Sequence, residues 1–529
     1  MPRNVSQAGL PNHQLFPLSM PTPGALGLNL QAAQAVQDPT FCIEALNCVV
    51  DQYGRIAARG GRTTVSTGNP AVGQVRAIFE YINSAGTSTP IVAFDGGISS
   101  SLTAPNGSSL VGTITSVASG RWYFQNFNDK CIGFQAGQKP IVLATPAGTF
   151  SNIVESSGAA PQSGIGCCAY GRVWGVAADG HTLQWCGLQD ETNWGTGDSG
   201  SIDLRSVWPK GMDTVTAIAP FAGMLVVFGT RQIIMYGGTD ATVLGLDVTQ
   251  IRVVDAIEGV GCISQWTIAG IGGEKEKSDL LFCSQLGIQS LQRLVLGDGS
   301  HPIAQLTKNV RDVLIQQLSI ETAANVSGFY SPTNGFYALS LPTSAYTWIA
   351  DQRHKFGDQD GDLIARMTRW PIAPTTMVEF VNRNVYFASA TLGHVQKYIA
   401  GTDDGSTFPV TLQLPWLRLP DAFAGRIKML KRVRALVQSL AQTTVRVSWF
   451  IDFNSTPTGF SNIVTSGVNS QWGVSQWGID QWGGGTTLQQ VEANASGTGQ
   501  YFSLSIAASV DSTFAIQQAS LLVKIGRLS

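Results

Sequence analysis

The chain has 529 residues, more than the roughly 250–300 over which one hydrophobic core keeps growing, so two or more modules are expected. Apolar residues make up 43% of it, enough for a packed core, while charged residues are only 13%, about half the usual globular share, which points to surface covered by other subunits. A net charge of −2 excludes a global field that would drive the chain onto nucleic acid or membrane. The 59 glycines, with abundant Ser, Thr, Val and aromatics, favour short strands joined by tight turns, and no glycine period of three supports a collagen.

In chain order, Met1-Pro2-Arg3-Asn4 opens a polar stretch without the apolar core of a signal peptide. Residues 1–40 carry Pro11, Pro17, Pro21 and Pro23 and little periodicity, as in an extended arm ordered only by a partner surface, with a short helix expected over Leu30 to Val36. From about residue 70 a loose repeat sets in: a turn, a strand rich in aromatics and aliphatics, a turn and another strand. Anchors at Ile78, Trp122, Val173, Leu225, Leu281, Phe336 and Val385 are separated by 44, 51, 52, 56, 55 and 49 residues. A period near fifty with several strands per unit is the pattern of propeller blades, because a four-stranded blade buries both faces only within a ring. The competing reading is a run of unrelated β-meanders. One helix, Asn309 to Leu318, interrupts the repeat, with Val310, Val313, Leu314 and Gln317 on one face. The longest apolar run, Ala217 to Phe228, contains Pro220 and Gly223 and is too short for a bilayer span. A soluble protein made in the cytoplasm is therefore expected.

Beyond about residue 410, strands are expected at Arg426 to Val437, Thr443 to Ile451, Tyr501 to Ile506, Thr513 to Gln517 and Leu521 to Ile525. The predicted fold is all-β: an extended arm over residues 1–40, a propeller-like platform of about six or seven blades over 41–410, and an antiparallel β-sandwich over 411–529.

Several motifs resemble chemical sites. Gly197-Asp198-Ser199-Gly200 copies the tetrad of a trypsin-like nucleophile, but none of the five histidines, His13, His181, His301, His354 and His394, has the matching context, and a plain turn is expected. Asp358, Asp360 and Asp362 alternate as in calcium loops, but no carboxylate follows in 363–372, which favours a hairpin turn over a cation site. Arg426, Lys428, Lys431, Arg432 and Arg434 form the densest basic stretch, suited to phosphates, to an acidic subunit, or to a solvated face. Gln-Trp-Gly recurs at 471, 476 and 481; period five fits neither strand nor helix, so the rings are expected to anchor an irregular loop rather than form a sugar platform. The eight cysteines include no Cys-x-x-Cys pair and read as small hydrophobes, with the neighbours Cys167 and Cys168 as thiols. No catalytic, cofactor-binding or metal-binding residues are assigned.

The stretch from Ala45 to Arg62 reads Ala-Leu-Asn-Cys-Val-Val-Asp-Gln-Tyr-Gly-Arg-Ile-Ala-Ala-Arg-Gly-Gly-Arg. It resembles the N-terminal signature of podoviral tail nozzle proteins, the packaged-DNA stabilisation and tail-tube type B group. Val215 to Gly229, Gly259 to Ser264 and Leu280 to Ile288 are similar to later parts of that family, and their order over residues 25–400 carries the resemblance. It implies a structural, non-enzymatic virion protein: a hexameric ring in the tail, below portal and adaptor, bearing fibres or a needle, with a channel through which genomic DNA leaves. No site residue and no cofactor comes with it.

Physics adds that a channel wall must not grip phosphate, so acidic residues such as Asp279, Asp358, Asp360, Asp362, Asp403 and Asp404 are expected to face the lumen and the basic stretch to face elsewhere. The alternative from another class is a propeller-based carbohydrate-binding or glycan-degrading tail protein, for which Asp190 with Glu191, or Asp403 with Asp404, are the candidate carboxylate pairs. A host kelch-like adaptor lacks its paired-glycine blade signature.

Overall fold

The computed structural model describes residues 15–528 except 36, 113, 115–119, 239–247, 249–250, 273–278, 292–304, 358–362, 390–392, 419–425, 441 and 466–486. They form two compact units. A central unit comprises Thr63–Ala365 and Pro371–Tyr398; a terminal unit comprises the chain up to Arg62, Arg366–Trp370, and Ile399 onward. Among the described residues no helix is long and apolar enough to cross a membrane.

The central unit is a β-propeller arrangement. Six separate sheets of three or four strands follow one another, all antiparallel within themselves. Blade 1 holds Val75–Ile82, Ser88–Phe94 and Gly97–Ser99; blade 2 runs from Trp122–Phe127 to Ser151–Asn152; blade 3 from Gly166–Ala169 to Gly200–Asp203; blade 4 from Val215–Phe221 to Arg252–Glu258. Blade 5 holds Ala269–Ile271, Asp279–Ser284 and Gly287–Ser290, and blade 6 holds Met377–Glu379, Val385–Ala388 and Val395–Ile399. A seventh group, Ser327–Ser331, Phe336–Leu341 and Tyr346–Gly357, stands between blades 5 and 6.

The seven sequence anchors fall one in each of these seven sheets. Ile78 and Trp122 lie on first strands, the other five on second strands.

The gaps between blades 1 to 5 are filled by apolar side chains. Tyr81 and Ile91 pack with Trp122 and Phe124 between blades 1 and 2, Phe134 with Val173 between 2 and 3, Trp174 and Leu183 with Ile218 and Val227 between 3 and 4, and Phe228 with Phe282 between 4 and 5. Strands buried on both faces lose the polar–apolar alternation: all six residues of Gln232–Gly237 are buried. Polar locks join blades where the backbone has no partner. Gln265 accepts the Ile218 N–H at 2.7 Å and donates to the Ile218 carbonyl at 2.9 Å, and the Tyr337 hydroxyl donates to the Thr267 carbonyl at 2.7 Å. The ring closes because Val65 donates to the Val395 carbonyl and Ala71 to that of Gly393, both at 2.9 Å.

The helix expected at Asn309 to Leu318 is found at Arg311–Ile320, after a 3-10 turn over Lys308–Val310. Val310 and Leu314 are buried, and the Gln317 side chain accepts the Trp348 indole N–H at 2.7 Å.

The terminal unit contains two sheets assembled from both ends of the chain, antiparallel except where Leu46 pairs in parallel with Arg369. In one, Ala515–Leu528 lies between Ile56–Ala58 and Arg426–Ser439, which in turn pairs with Thr487–Asn494; Leu15–Met20 also pairs with Ala515–Leu528. In the other, Glu44–Leu46, Phe408–Gln413, Tyr501–Val510, Thr444–Ile451 and Gly459–Val464 pair in that order.

Three expectations change here. First, the units divide at 62/63 and 398/399, not at 40/41 and 410/411, because strands 41–62 find their partners in the C-terminal segment. Second, the strands expected at Thr513 to Gln517 and Leu521 to Ile525 are one long strand, Ala515–Leu528, with Thr513 in the turn before it, and its pairing with Arg426–Ser439 is interrupted by register shifts. Third, no helix covers 30–35: the Asn29 side chain accepts the N–H groups of Gln31 and Ala32, both at 3.1 Å, which sets a turn instead. The surface that orders residues 15–40 is in part this chain's own. Leu15–Met20 zips onto Ala515–Leu528, and Leu28 donates to the Met367 carbonyl at 2.8 Å.

The signature stretch acquires a physical meaning. Arg59, 2% exposed, forks onto Asp403 with contacts of 2.9 and 2.7 Å, donates to the Asn47 side chain at 2.7 Å, and lies 4.1 Å from the centre of the Phe408 ring. Arg62 reaches the same carboxylate at 3.3 Å. Gly61 passes so close to Thr402 that a Cβ there would lie 2.2 Å from its carbonyl oxygen. Removing one member of such a pair leaves the other buried and uncompensated. Asp403→Ala is therefore expected to destabilise the terminal unit by about 3–5 kcal/mol, with Asp403→Asn milder, in urea unfolding followed by tryptophan fluorescence. A loss below about 1 kcal/mol for the alanine variant would contradict the clamp.

Candidate functional site

The serine tetrad is a clamped turn entering the last strand of blade 3. Arg172, 3% exposed, forms an ion pair with Asp198 and donates to the carbonyls of Cys186 at 2.9 Å and Asp198 at 3.1 Å. The Trp185 indole donates to the same Asp198 carbonyl at 3.0 Å, and the Ser199 hydroxyl donates to the Thr196 carbonyl at 2.8 Å. Two of the histidines are held elsewhere: His181 Nδ1 lies 3.1 Å from the Asp213 carbonyl and His394 Nδ1 3.2 Å from the Ser66 hydroxyl. His13 and His301 lie outside the described residues.

The candidate carboxylates also carry structural contacts. Asp190 accepts the backbone N–H and hydroxyl of Thr192 at 3.0 and 2.7 Å, and the buried Glu191 joins blade 3 to blade 2 through Lys130 at 2.5 Å. Asp279 accepts the Ser290 hydroxyl at 2.6 Å. Asp403 is neutralised by Arg59 and Arg62, while Asp404 donates its N–H to the Arg62 carbonyl at 2.7 Å from a left-handed backbone, φ 46°. Hence the charge of Asp403 is already paired, while Asp279 is hydrogen-bonded through a neutral hydroxyl. Asp358, Asp360, Asp362 and the Gln-Trp-Gly repeat lie outside the described residues. Among the described residues no three His, Cys, Asp or Glu side chains converge as a metal cage. The eight cysteines are free thiols, seven of them buried, and burial pushes the Cys262 thiol up to about 11.

The basic stretch occupies Arg426–Ser439, where alternation decides the fate of each charge. Lys428 points inward, 1% exposed, and donates to the Gln500 side chain at 2.5 Å; burial, with Arg418 nearby, lowers its pKa. A register shift between Leu430 and Arg432 leaves Lys431 and Arg432 both exposed. Arg432 and Arg434 share Glu492 on the neighbouring strand, each at 2.9 Å. Hydrogen bonds from Arg434 hold the Glu492 carboxyl below its usual range. The stretch thus presents much less free positive charge than its sequence suggests.

A feature that sequence reasoning passed over is the outer strand of blade 4, Arg252–Glu258. It pairs only with Gln232–Gly237 among the described residues, and six of its seven residues are exposed. Val253 and Val254 are 42% and 55% exposed. An open strand edge bearing apolar side chains is a template for pairing with another chain. Its sequence signal was the Val-Val pair set among Arg252, Asp255 and Glu258 outside any alternating pattern.

No family model matches this chain, and no curated protein does. Solved structures do match. One is the β-propeller domain of Myceliophteria thermophila Cps50 (Swd1), at 11% identity and TM-score 0.33, covering 64% of this chain and 99% of that one. Another is the extracellular domain of the putative hybrid two component system BT4673 from B. thetaiotaomicron, at 10% identity and TM-score 0.36, covering 83% and 61%. A third is the AfRom2 CNH domain, at 10% identity and TM-score 0.29, covering 67% and 95%. At these values the likeness carries no functional argument.

Three blade carboxylates are held below the usual range. Arg172 holds Asp198 low. At Asp179 burial pulls upward, but hydrogen bonds from His181 and Thr182 bring it to about 2; Asp213, against the same pull, is lowered by Thr230 and Arg231. A depressed folded-state pKa contributes stability above the unfolded value and loses it as pH falls through the folded one. Stability of the central unit should therefore fall between about pH 4 and pH 2, as read by thermal unfolding across that range. Arg172→Ala should cost about 2–3 kcal/mol and Ser199→Ala no more than about 0.5 kcal/mol in the same assay. A larger loss for the serine variant would mean that its hydroxyl does more than close a turn.

Proposed function

We propose that this chain is a structural subunit of a short-tailed phage tail, a nozzle or hub that assembles as a ring below the portal and adaptor and gives packaged DNA its exit. The observation that carries the reading is the open edge Arg252–Glu258, which an isolated subunit would leave as an association hazard and an assembled one can cover. The low charge content supports it, because surface destined for burial between subunits is depleted in charged residues. So does the order of family-like stretches, whose first member forms the Arg59 clamp.

Three measurements test the reading. A reconstruction of purified particles should place six copies of this chain in each tail; another copy number, or absence from the particle, would overturn it. Val254→Lys should leave the monomer's thermal unfolding within about 0.5 kcal/mol of wild type, yet reduce ring formation in analytical ultracentrifugation. The assembled ring should bind duplex DNA weakly, with a shallow salt dependence, whereas a steep one would reveal a phosphate-gripping wall.

A further inference from the structure

The two units differ in the sign of their charge. The terminal unit holds 15 Lys and Arg against 10 Asp and Glu, and the central unit holds 18 against 25, so a chain of net charge −2 is divided into parts of +5 and −7. Part of the basic surplus lies on one sheet face. In the sheet built by Leu15–Met20, Ala515–Leu528, Arg426–Ser439 and Thr487–Asn494, alternation turns Val433, Val437 and Val491 inward, where they are buried. The positions between them face outward and bring Arg432, Arg434, Leu488 and Glu492 to one surface. Two guanidiniums meet one carboxylate there, since Arg432 and Arg434 share Glu492. Lys431, exposed at the register shift, and Lys524 on the neighbouring strand add to the surplus.

The face is also more apolar than a solvated one. An antiparallel sheet with one side in water alternates apolar-in with polar-out. Here Leu488 and Ile427 stand among the outward positions, 51% and 45% exposed. Apolar side chains set among surplus cations fit a partner surface that is acidic and partly apolar. The same face of a second copy is a poor partner, because two basic faces repel each other. A nucleic acid is a poor one too, because phosphates would answer the cations and leave Leu488 and Ile427 without a role. The central unit of a second copy supplies the opposite sign, with 25 carboxylates against 18 cations.

We infer that the outward face of this sheet docks on the acidic central unit of a second copy of the chain. Such a contact is head to tail: different surfaces meet, the contact repeats from copy to copy, and it closes into a ring where the rotation allows. The inference rests on the assembly reading for the presence of neighbouring copies, and adds which surfaces meet.

Sedimentation velocity of the purified full chain, with carbodiimide cross-linking of mixed natural and heavy-nitrogen-labelled chains, tests it. Self-association should weaken at least about tenfold between about 50 mM and about 500 mM NaCl. Leu488→Glu should weaken it at least about tenfold with thermal unfolding preserved, and so should Arg432→Glu. Val464→Glu, which adds the same charge at an exposed position of the other sheet, should leave association unchanged. Cross-links between chains should join Lys431 or Lys524 to carboxylates of the central unit. A chain that stays monomeric in low salt, association of both face variants equal to wild type, cross-links that join one terminal unit to another, or duplex DNA binding by the monomer that Leu488→Glu leaves intact would each overturn the inference. A copy number other than six in the particle would overturn the tail reading while these results uphold the contact. A six-fold ring that tolerates both face variants would do the reverse.

Discussion

A sheet of three or four strands cannot bury both of its faces by itself, and the central unit is organised by that constraint. Each blade covers its neighbours, so closure matters more than any single contact. Closure falls to one short backbone exchange, Val65 with Val395 and Ala71 with Gly393, between segments more than three hundred residues apart. With both ends of the central unit held in that exchange, the flanking segments 15–62 and 399–528 combine into a unit of their own, in which Glu44–Leu46 pairs with Phe408–Gln413 and Leu15–Met20 with the last strand. The discontinuous division of the chain follows from how the ring is closed.

The few charges of this chain are used largely for internal anchorage. Arg59 fastens the terminal unit through Asp403, Arg172 fastens a blade 3 turn through Asp198, and Lys130 ties blade 2 to Glu191 in blade 3. Each is a planar or compact donor array meeting a carboxylate in a largely buried setting, where geometry rather than long-range field sets the contact. This accounts for residues that looked chemical in the sequence, such as the serine tetrad and the paired acids, being structural in the fold. Arg121 departs from the pattern. Beside the Trp266 ring, it meets three neutral carbonyls, those of Ala324, Val326 and Thr375.

The outer edge of blade 4, which has one neighbouring strand among the described residues and a register shift at Met235 and Tyr236, offers backbone hydrogen-bonding groups and two exposed valines to another chain.

Local pattern alone determined the strand-rich class, the near-fifty-residue period that places one anchor in each of seven sheets, the helix now seen at Arg311–Ile320, and the buried thiols. Turn residues and side-chain alternation are properties of neighbouring positions, and a strand or helix period is readable from them. Tertiary structure alone decided the partner of Arg59, which lies 344 residues away, the joining of Leu15–Met20 to the last strand, the inward turn of Lys428, and the sharing of Glu492 by two arginines. Cross-strand register is set by which distant segment arrives alongside, and a one-residue shift exchanges the faces of every side chain on a strand. The meeting of Arg121, Trp122, Trp266 and Ser327 was illegible for the same reason: they come together only because the blades close into a ring.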